Sequence, residues 1–126
     1  MLIATGGTIA GGVDAGTGKM KLLSARDLLE SVREVRATAD MRFEDFSNVG
    51  SSRITPEMQS ELSNRISRVL AGEEDAVIVT HGTDSLEETA FFLELTVPSE
   101  KPVVMTAAQR PPVSPDSDGP RNLMNA

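Results

Sequence analysis

Two short apolar runs in this chain each end in a threonine flanked by glycine. Residues 4–12 read Ala-Thr-Gly-Gly-Thr-Ile-Ala-Gly-Gly, and residues 77–90 begin Val-Ile-Val-Thr-His-Gly-Thr-Asp. In an α/β fold, a buried strand that passes through a tight turn into a helix can hold a small reactive side chain against a ligand. The two segments therefore predict one shared site, built at the ends of two strands.

Apolar strands alternate with amphipathic helices along the chain. Four strands are predicted, at residues 1–4, 41–46, 76–80 and 102–106, and the second has the pattern of an exposed or edge strand. Residues 5–21 are predicted to be a glycine-rich loop. The resulting order β-α-β-α-β-α-β is typical of an α/β fold with a doubly wound, mainly parallel sheet and helices on both faces.

Helix starts are signalled by capping residues and by proline. Ser24 with Asp27, and Ser85 with Glu88, have the spacing of a capping box, in which two side chains bond each other's backbone N–H groups. The first of these helices has an apolar stripe at Leu28, Leu29, Val32 and Val35. Further helices are predicted to begin at Pro56 and Pro120.

Size and charge limit the classes of partner. With 126 residues, of which 39% are hydrophobic, the chain is predicted to form one domain over residues 1–126. A net charge of −7 leaves no basic face for nucleic acid or for an anionic membrane surface, so we expect a small-molecule substrate. No signal-peptide core is visible, which predicts a cytoplasmic location, with a periplasmic one as the alternative if the N-terminus was processed.

The residue spacing in this chain does not fit the common patterns of nucleotide-binding, serine-hydrolase or metal sites. The glycines around Thr8 lack the Gly-x-Gly of a dinucleotide fingerprint, and Gly18-Lys19 is followed by Met20 where a phosphate-binding loop needs Ser or Thr. His81 is the only histidine, and no Gly-x-Ser-x-Gly elbow accompanies it, so a hydrogen-bonded turn residue is the better interpretation. No metal-ligand spacing is present, and no cofactor or metal is predicted.

Asp84 directly follows Thr83 at a predicted strand end. Its carboxylate is either a helix N-cap or the group that binds a ligand's ammonium. The neighbouring threonine hydroxyl could donate to or attack a carbonyl, but it needs activation because a free threonine is barely ionised at neutral pH. Glu87 and Glu88 are expected to be surface residues in the first turn of the next helix.

Taken together, residues 4–12, 77–90 and 102–126 resemble the bacterial-type L-asparaginases, which are threonine amidohydrolases. The combination of Thr-Gly-Gly-Thr-Ile-Ala and Thr-His-Gly-Thr-Asp in this order carries the resemblance. It implies hydrolysis of asparagine, or of glutamine, through a threonine acyl-enzyme without a cofactor. It also implies a homo-oligomer, and a smaller C-terminal domain that is absent from residues 1–126.

By this resemblance, Thr8 is the nucleophile and Thr83 orients the attacking group and later the hydrolytic water. Asp84 binds the substrate's α-ammonium and completes the catalytic set. Ser51 binds the α-carboxylate, and the backbone carbonyl of Ala108 faces the amide nitrogen. The substrate-binding set that the resemblance implies is Gly50, Ser51, Ser52, Thr83, Asp84 and Ala108.

The chain departs from the family pattern in three ways. Family members usually carry a tyrosine on the loop after the first motif, whereas this sequence contains no tyrosine. Ser52 stands where glutamine is common. The family's lysine, which pairs with the second threonine and its aspartate, lies on a segment beyond Ala126, so no residue here is assigned that role.

Two other functions remain open at this stage. The asparaginase-like subunit of a tRNA-dependent amidotransferase shares these motifs but passes ammonia to a partner. Residues 13–18 and 109–111 give mild support to the hypothesis that the chain is such a subunit. A non-catalytic amino-acid-binding domain would have kept the pocket alone. Free ammonia release from asparagine would argue against the first, and dependence of turnover on Thr8 against the second.

Overall fold

The computed structural model describes residues 1–13, 16–32 and 34–126, and of Met20 and Arg36 it describes the backbone alone. Its main sheet is parallel and has the order β4-β1-β5-β6. The strands are β1 (Leu2–Gly6), β4 (Phe43–Val49), β5 (Val77–Thr80) and β6 (Val103–Thr106). A separate antiparallel hairpin joins β2 (Gly11–Val13) to β3 (Met20–Leu22). The predicted parallel α/β sheet is confirmed, and β4 lies at its edge as expected.

Helices follow the predicted starts in most places. They are α1 (Ala25–Ser31), α2 (Val35–Thr38), α3 (Pro56–Leu70), α4 (Leu86–Thr96) and α5 (Gly119–Asn125). At α1 the capping box is complete, with Ser24 Oγ accepting from Asp27 N–H and the Asp27 carboxylate accepting from Ser24 N–H. At α3 the Thr55 hydroxyl accepts from Met58 N–H, ahead of Pro56 in the first turn.

Alternate residues of the central strand β1 belong to two cores on opposite faces of the sheet. Leu2 and Ala4 pack with residues of α1 and with Leu123 of α5. Ile3 packs with Leu62 and other residues of α3 and α4. A fully buried Leu or Ile side chain contributes about 1.5–3 kcal/mol of transfer free energy, so this alternation fixes helices on both faces.

The strand order creates a crevice at the carboxyl ends of β1 and β5. The chain leaves β1 for β4 on one side and later returns to β5 on the other, which is the topological switch point where α/β sheets bind ligands. Thr5 Oγ1 donates to the Thr80 carbonyl at 3.0 Å and ties the two strand ends together. The turns that follow these strands therefore meet at one edge of the sheet.

Three local predictions are wrong. The loop predicted over residues 5–21 contains the β2–β3 hairpin and a 3-10 turn at Thr8–Ala10, and the first helix stops at Ser31 before the separate α2. At α4, Ser85 makes no capping bond, and its hydroxyl donates to the Ser51 carbonyl. Asp14 and Ala15, part of the segment that favoured an amidotransferase, lie outside the described residues.

Within residues 1–13, 16–32 and 34–126, no helix is both long and apolar enough to cross a membrane.

Candidate active site

Three loops at the carboxyl edge of the sheet enclose a cavity of about 300 Å³. Five of the residues singled out from the sequence line it: Thr8, Gly50, Ser51, Thr83 and Asp84. The hairpin and the loop after β6 complete the walls with Leu22 and Pro111. Thr8 follows β1 and Thr83 follows β5, so the predicted convergence of the two threonine turns on one site is what the structure contains.

The turn after β1 depends on a glycine pressed against a second glycine. Gly7 has φ 81° and ψ −176°, a backbone conformation that is essentially restricted to glycine. A Cβ added there would lie 2.5 Å from the backbone nitrogen of Gly82. The turns that carry Thr8 and Thr83 are therefore in backbone contact, which sets the spacing of the two side chains.

Ser51 lines the cavity and hydrogen-bonds the turn that follows β5. It is 3% exposed, and its Oγ accepts from the backbone N–H of Asp84 at 3.0 Å, while its carbonyl accepts from Ser85 Oγ at 2.8 Å. A hydroxyl that accepts one bond keeps its own proton to donate. In the part of the chain that the structure describes, no acceptor takes that proton, so it can serve a ligand carboxylate.

The reactive groups of the cavity are left free by the protein. Among the described residues, neither the hydroxyl nor the backbone N–H of Thr8 or Thr83 has a hydrogen-bond partner. Asp84 is exposed and its carboxylate makes no ion pair within those same residues. Together with Ser51, these residues line the cavity with three hydroxyls and a carboxylate, a set that fits a small zwitterion with a carbonyl to be attacked.

Two of the predicted substrate-binding residues are outside the cavity lining. Ser52 is exposed on the 3-10 turn Ser51–Arg53, one residue beyond the wall. Ala108 is 2% exposed and buried in the loop after β6, which reaches the cavity through Pro111. Their roles toward substrate stay predictions from the resemblance.

A larger groove of about 700 Å³ lies on the other side of β6, against α4. Its polar side chains are Glu87, Glu94, Ser99 and Lys101, and Lys101 Nζ already donates to the carbonyls of Leu70, Gly72 and Glu74. The groove lacks the convergent unpaired groups of the smaller cavity. Glu87 and Glu88 are exposed in the first turn of α4.

His81 lies directly beneath the site and is completely buried. Its Nδ1 bonds the Gly82 carbonyl at 2.8 Å, so Nδ1 carries the proton, and Nε2 has no partner among the described residues. The histidine therefore acts as a hydrogen-bonded turn residue, as predicted from the sequence. Burial lowers its pKa, partly offset by the bond to the Gly82 carbonyl.

We expect the His81 ring to titrate below its ordinary pKa of 6.5. Because the unfolded chain takes up this proton more readily, stability should be complete above pH 6.5 and decline as the pH falls below it. NMR of the ring protons gives the titration, and the signal is unambiguous because the chain has 1 histidine. A midpoint at or above 6.5 would contradict the buried, neutral ring.

No group of three or more His, Cys, Asp or Glu side chains suited to a metal ion occurs among the residues that the structure describes.

Sequence reasoning missed the residues that hold the site together. Ser85 supports the Ser51 backbone, and Gly82 lies so close to Ser51 that an added Cβ would be 2.5 Å from its hydroxyl oxygen. The Thr-His-Gly-Thr motif placed Gly82 in a turn but gave no sign of what it packs against. A contact between segments 31 residues apart leaves no local pattern to read.

The chain is similar to known proteins along its whole length. A family model described as "Asparaginase, N-terminal" matches residues 1–126. The chain is 44% identical over 130 residues to L-asparaginase 2 of Bacillus subtilis, covering 99% of this chain and 35% of the relative. It is 41% identical over 128 residues to the probable periplasmic L-asparaginase of Haemophilus influenzae, covering 99% of this chain and 36% of that protein.

A solved structure is equally similar. The crystal structure of the probable cytoplasmic L-asparaginase from Campylobacter jejuni matches with a TM-score of 0.89 and 40% identity, over 98% of this chain and 39% of the other. The chain thus spans little more than a third of the length of the relatives that it matches.

Proposed function

The chain belongs to the asparaginase family, in the part described as N-terminal, and from this membership we propose that it hydrolyses L-asparagine to L-aspartate and ammonia through an acyl-enzyme on Thr8. The observation that carries the proposal is the single cavity into which Thr8, Thr83, Ser51 and Asp84 converge. Because the relatives are much longer, activity of the 126-residue chain is part of the proposal.

Substrate is held by its α-substituents. The Asp84 carboxylate binds the α-ammonium, and the free proton of Ser51 Oγ is donated to the α-carboxylate. The bond from Asp84 N–H to Ser51 Oγ, 3.0 Å long, couples the two groups, so both ends of the zwitterion are recognised by one rigid corner. Binding at these ends places the side-chain amide toward the threonines.

Chemistry proceeds by acyl transfer in two steps. Thr8 Oγ attacks the amide carbon and the C–N bond breaks, which leaves an aspartyl ester on Thr8 and releases ammonia that carries the hydroxyl proton. Water then adds to the ester carbon, the C–O bond to Thr8 breaks, and a proton of that water passes to Thr8 Oγ, which restores the hydroxyl and releases aspartate. In this proposal backbone N–H groups bind the developing oxyanion, and Thr83 orients first the nucleophile and then the water.

Replacement of Asp84 by Asn tests the binding corner. The backbone N–H that bonds Ser51 is unchanged by the substitution, so only the side-chain charge is lost. We expect the KM for L-asparagine to rise about tenfold or more, since a charge-assisted bond is removed, with a smaller change in kcat. Steady-state ammonia release measures both constants.

Succinamate is the matched control substrate, because it is asparagine without the α-ammonium. The Asp84→Asn penalty should disappear on succinamate. An equal rise in KM on both substrates would show that Asp84 does not contact the ammonium group.

Three further expectations stay predictions. Relatives are named both cytoplasmic and periplasmic, so the cytoplasmic location is not decided by them. A homo-oligomeric state rests on the resemblance, and a single domain over residues 1–126 rests on the size and composition of the sequence.

A further inference from the structure

Asp118 and Asn122, at the start of α5, hydrogen-bond the backbone of the loop that follows β6. The Asp118 carboxylate accepts from Gln109 N–H at 3.1 Å and from Arg110 N–H at 2.8 Å. Asn122 Nδ2 donates to the Ala107 carbonyl at 2.9 Å. Asp118 precedes α5 but makes no capping bond to that helix. Besides the two loop N–H groups, its carboxylate accepts from Asn122 Nδ2 at 3.2 Å, so the two side chains hold the loop together.

These bonds fix the peptide planes on both sides of Ala108. A trans peptide is planar, and its N–H and C=O point in opposite directions. No described peptide bond is cis. Since Gln109 N–H points at Asp118, the Ala108 carbonyl in the same plane points away from it. Since the Ala107 carbonyl points at Asn122, Ala108 N–H also points away from α5.

Ala108 itself is left unsatisfied. It is 2% exposed, yet its carbonyl and its N–H have no hydrogen-bond partner in the described ranges. A buried polar group without a partner costs about 1–3 kcal/mol, so a fold rarely leaves one without a use. The same loop lines the cavity through Pro111.

We propose that Asp118 is a positioning residue which, together with Asn122, aims the Ala108 carbonyl at the carboxamide nitrogen of the substrate. This rests on the proposed function. One carboxylate accepts from two successive N–H groups, and such charge-assisted bonds are the stronger kind. The N–H groups of Arg110 and Gln109 lower the pKa of Asp118 to about 2, so its carboxylate stays ionised at neutral pH.

A pair of substrates separates positioning from general support of the fold. L-asparagine carries the amide N–H that the Ala108 carbonyl would accept, whereas L-aspartate β-methyl ester does not. Asp118→Ala should lower kcat/KM for asparagine about tenfold and leave the ester within about twofold of the unchanged chain. Asp116→Ala is the matched control. Among the described residues, the Asp116 carboxylate bonds the side chains of Ser114 and Arg110 and not the N–H groups of Gln109 and Arg110.

Amide hydrogen exchange gives a reading that does not depend on activity. Exchange at Gln109 and Arg110 should accelerate in Asp118→Ala and not in Asp116→Ala. Selective loss on asparagine with faster exchange supports the proposal, and equal loss on both substrates or unchanged exchange overturns it. If the unchanged chain hydrolyses neither substrate, the proposed function fails, and exchange alone decides whether Asp118 holds the peptide.

Discussion

Thr8→Val is expected to abolish asparagine hydrolysis while leaving the fold intact. Valine has the shape of threonine without the hydroxyl, so the substitution removes the nucleophile and little else. Removal of a nucleophile that acts with its neighbours as a unit lowers kcat by about 10⁴-fold or more. Thr8 is half-buried and its hydroxyl bonds nothing among the described residues, so stability should change by less than about 1 kcal/mol.

Two companion variants sharpen this test. Thr8→Ser retains a hydroxyl and should recover a measurable part of the activity, whereas Thr8→Ala should behave like Thr8→Val. Ammonia release measures turnover, and thermal unfolding shows that each variant is folded. Turnover by Thr8→Val at the rate of the unchanged chain would remove Thr8 from the chemistry.

Gly7→Ala is expected to produce the largest loss of stability. The residue would be forced into a φ of 81° with ψ near 180°, which costs about 1–3 kcal/mol for any residue with a Cβ. The added Cβ would also press on backbone atoms of Gly82, which cannot rotate away as a side chain would. We expect a combined loss of about 3 kcal/mol or more, read from denaturant unfolding.

Two other glycines of the cavity separate strain from steric contact. Gly82 has an ordinary φ of −87°, so Gly82→Ala adds only the contact with Ser51 and should cost about 1–3 kcal/mol. At Gly50 an added Cβ meets nothing within 4 Å, so Gly50→Ala should leave stability almost unchanged. If Gly7→Ala were no more harmful than Gly50→Ala, the close packing of the two turns would be wrong.

Sequence was informative wherever local chemistry determines structure. The capping box at Ser24, the Thr55-Pro56 helix start and the apolar runs of β1 and β5 all predicted elements that the structure contains. Burial of strands on both faces gives unbroken apolar runs, and a parallel order follows from the helices between them. A parallel sheet brings the carboxyl ends of its strands to one edge, and the Thr8 and Thr83 turns meet there because β1 and β5 are neighbours in the sheet.

Sequence failed where a tertiary partner decides. Ser85 and Glu88 have the spacing of a capping box, but the Ser85 hydroxyl donates to the Ser51 carbonyl and makes no capping bond. Strand β2 was predicted as loop because Gly11 and Gly12 disfavour a strand, and because three residues are too few to show an alternation of apolar and polar side chains. No pattern in the sequence singled out Asp118, and only the fold shows that its carboxylate accepts from the backbone N–H groups of Gln109 and Arg110.

The most direct test is mass spectrometry of the chain after acid quenching during incubation with L-asparagine. We expect ammonia release together with one aspartyl group, ester-linked to Thr8 and distinguished from an adduct on Thr5 by fragmentation. Thr8→Val should carry no adduct. Ammonia release without an adduct, an aspartyl group on another residue, or no release by the unchanged chain would contradict hydrolysis through an acyl-enzyme on Thr8.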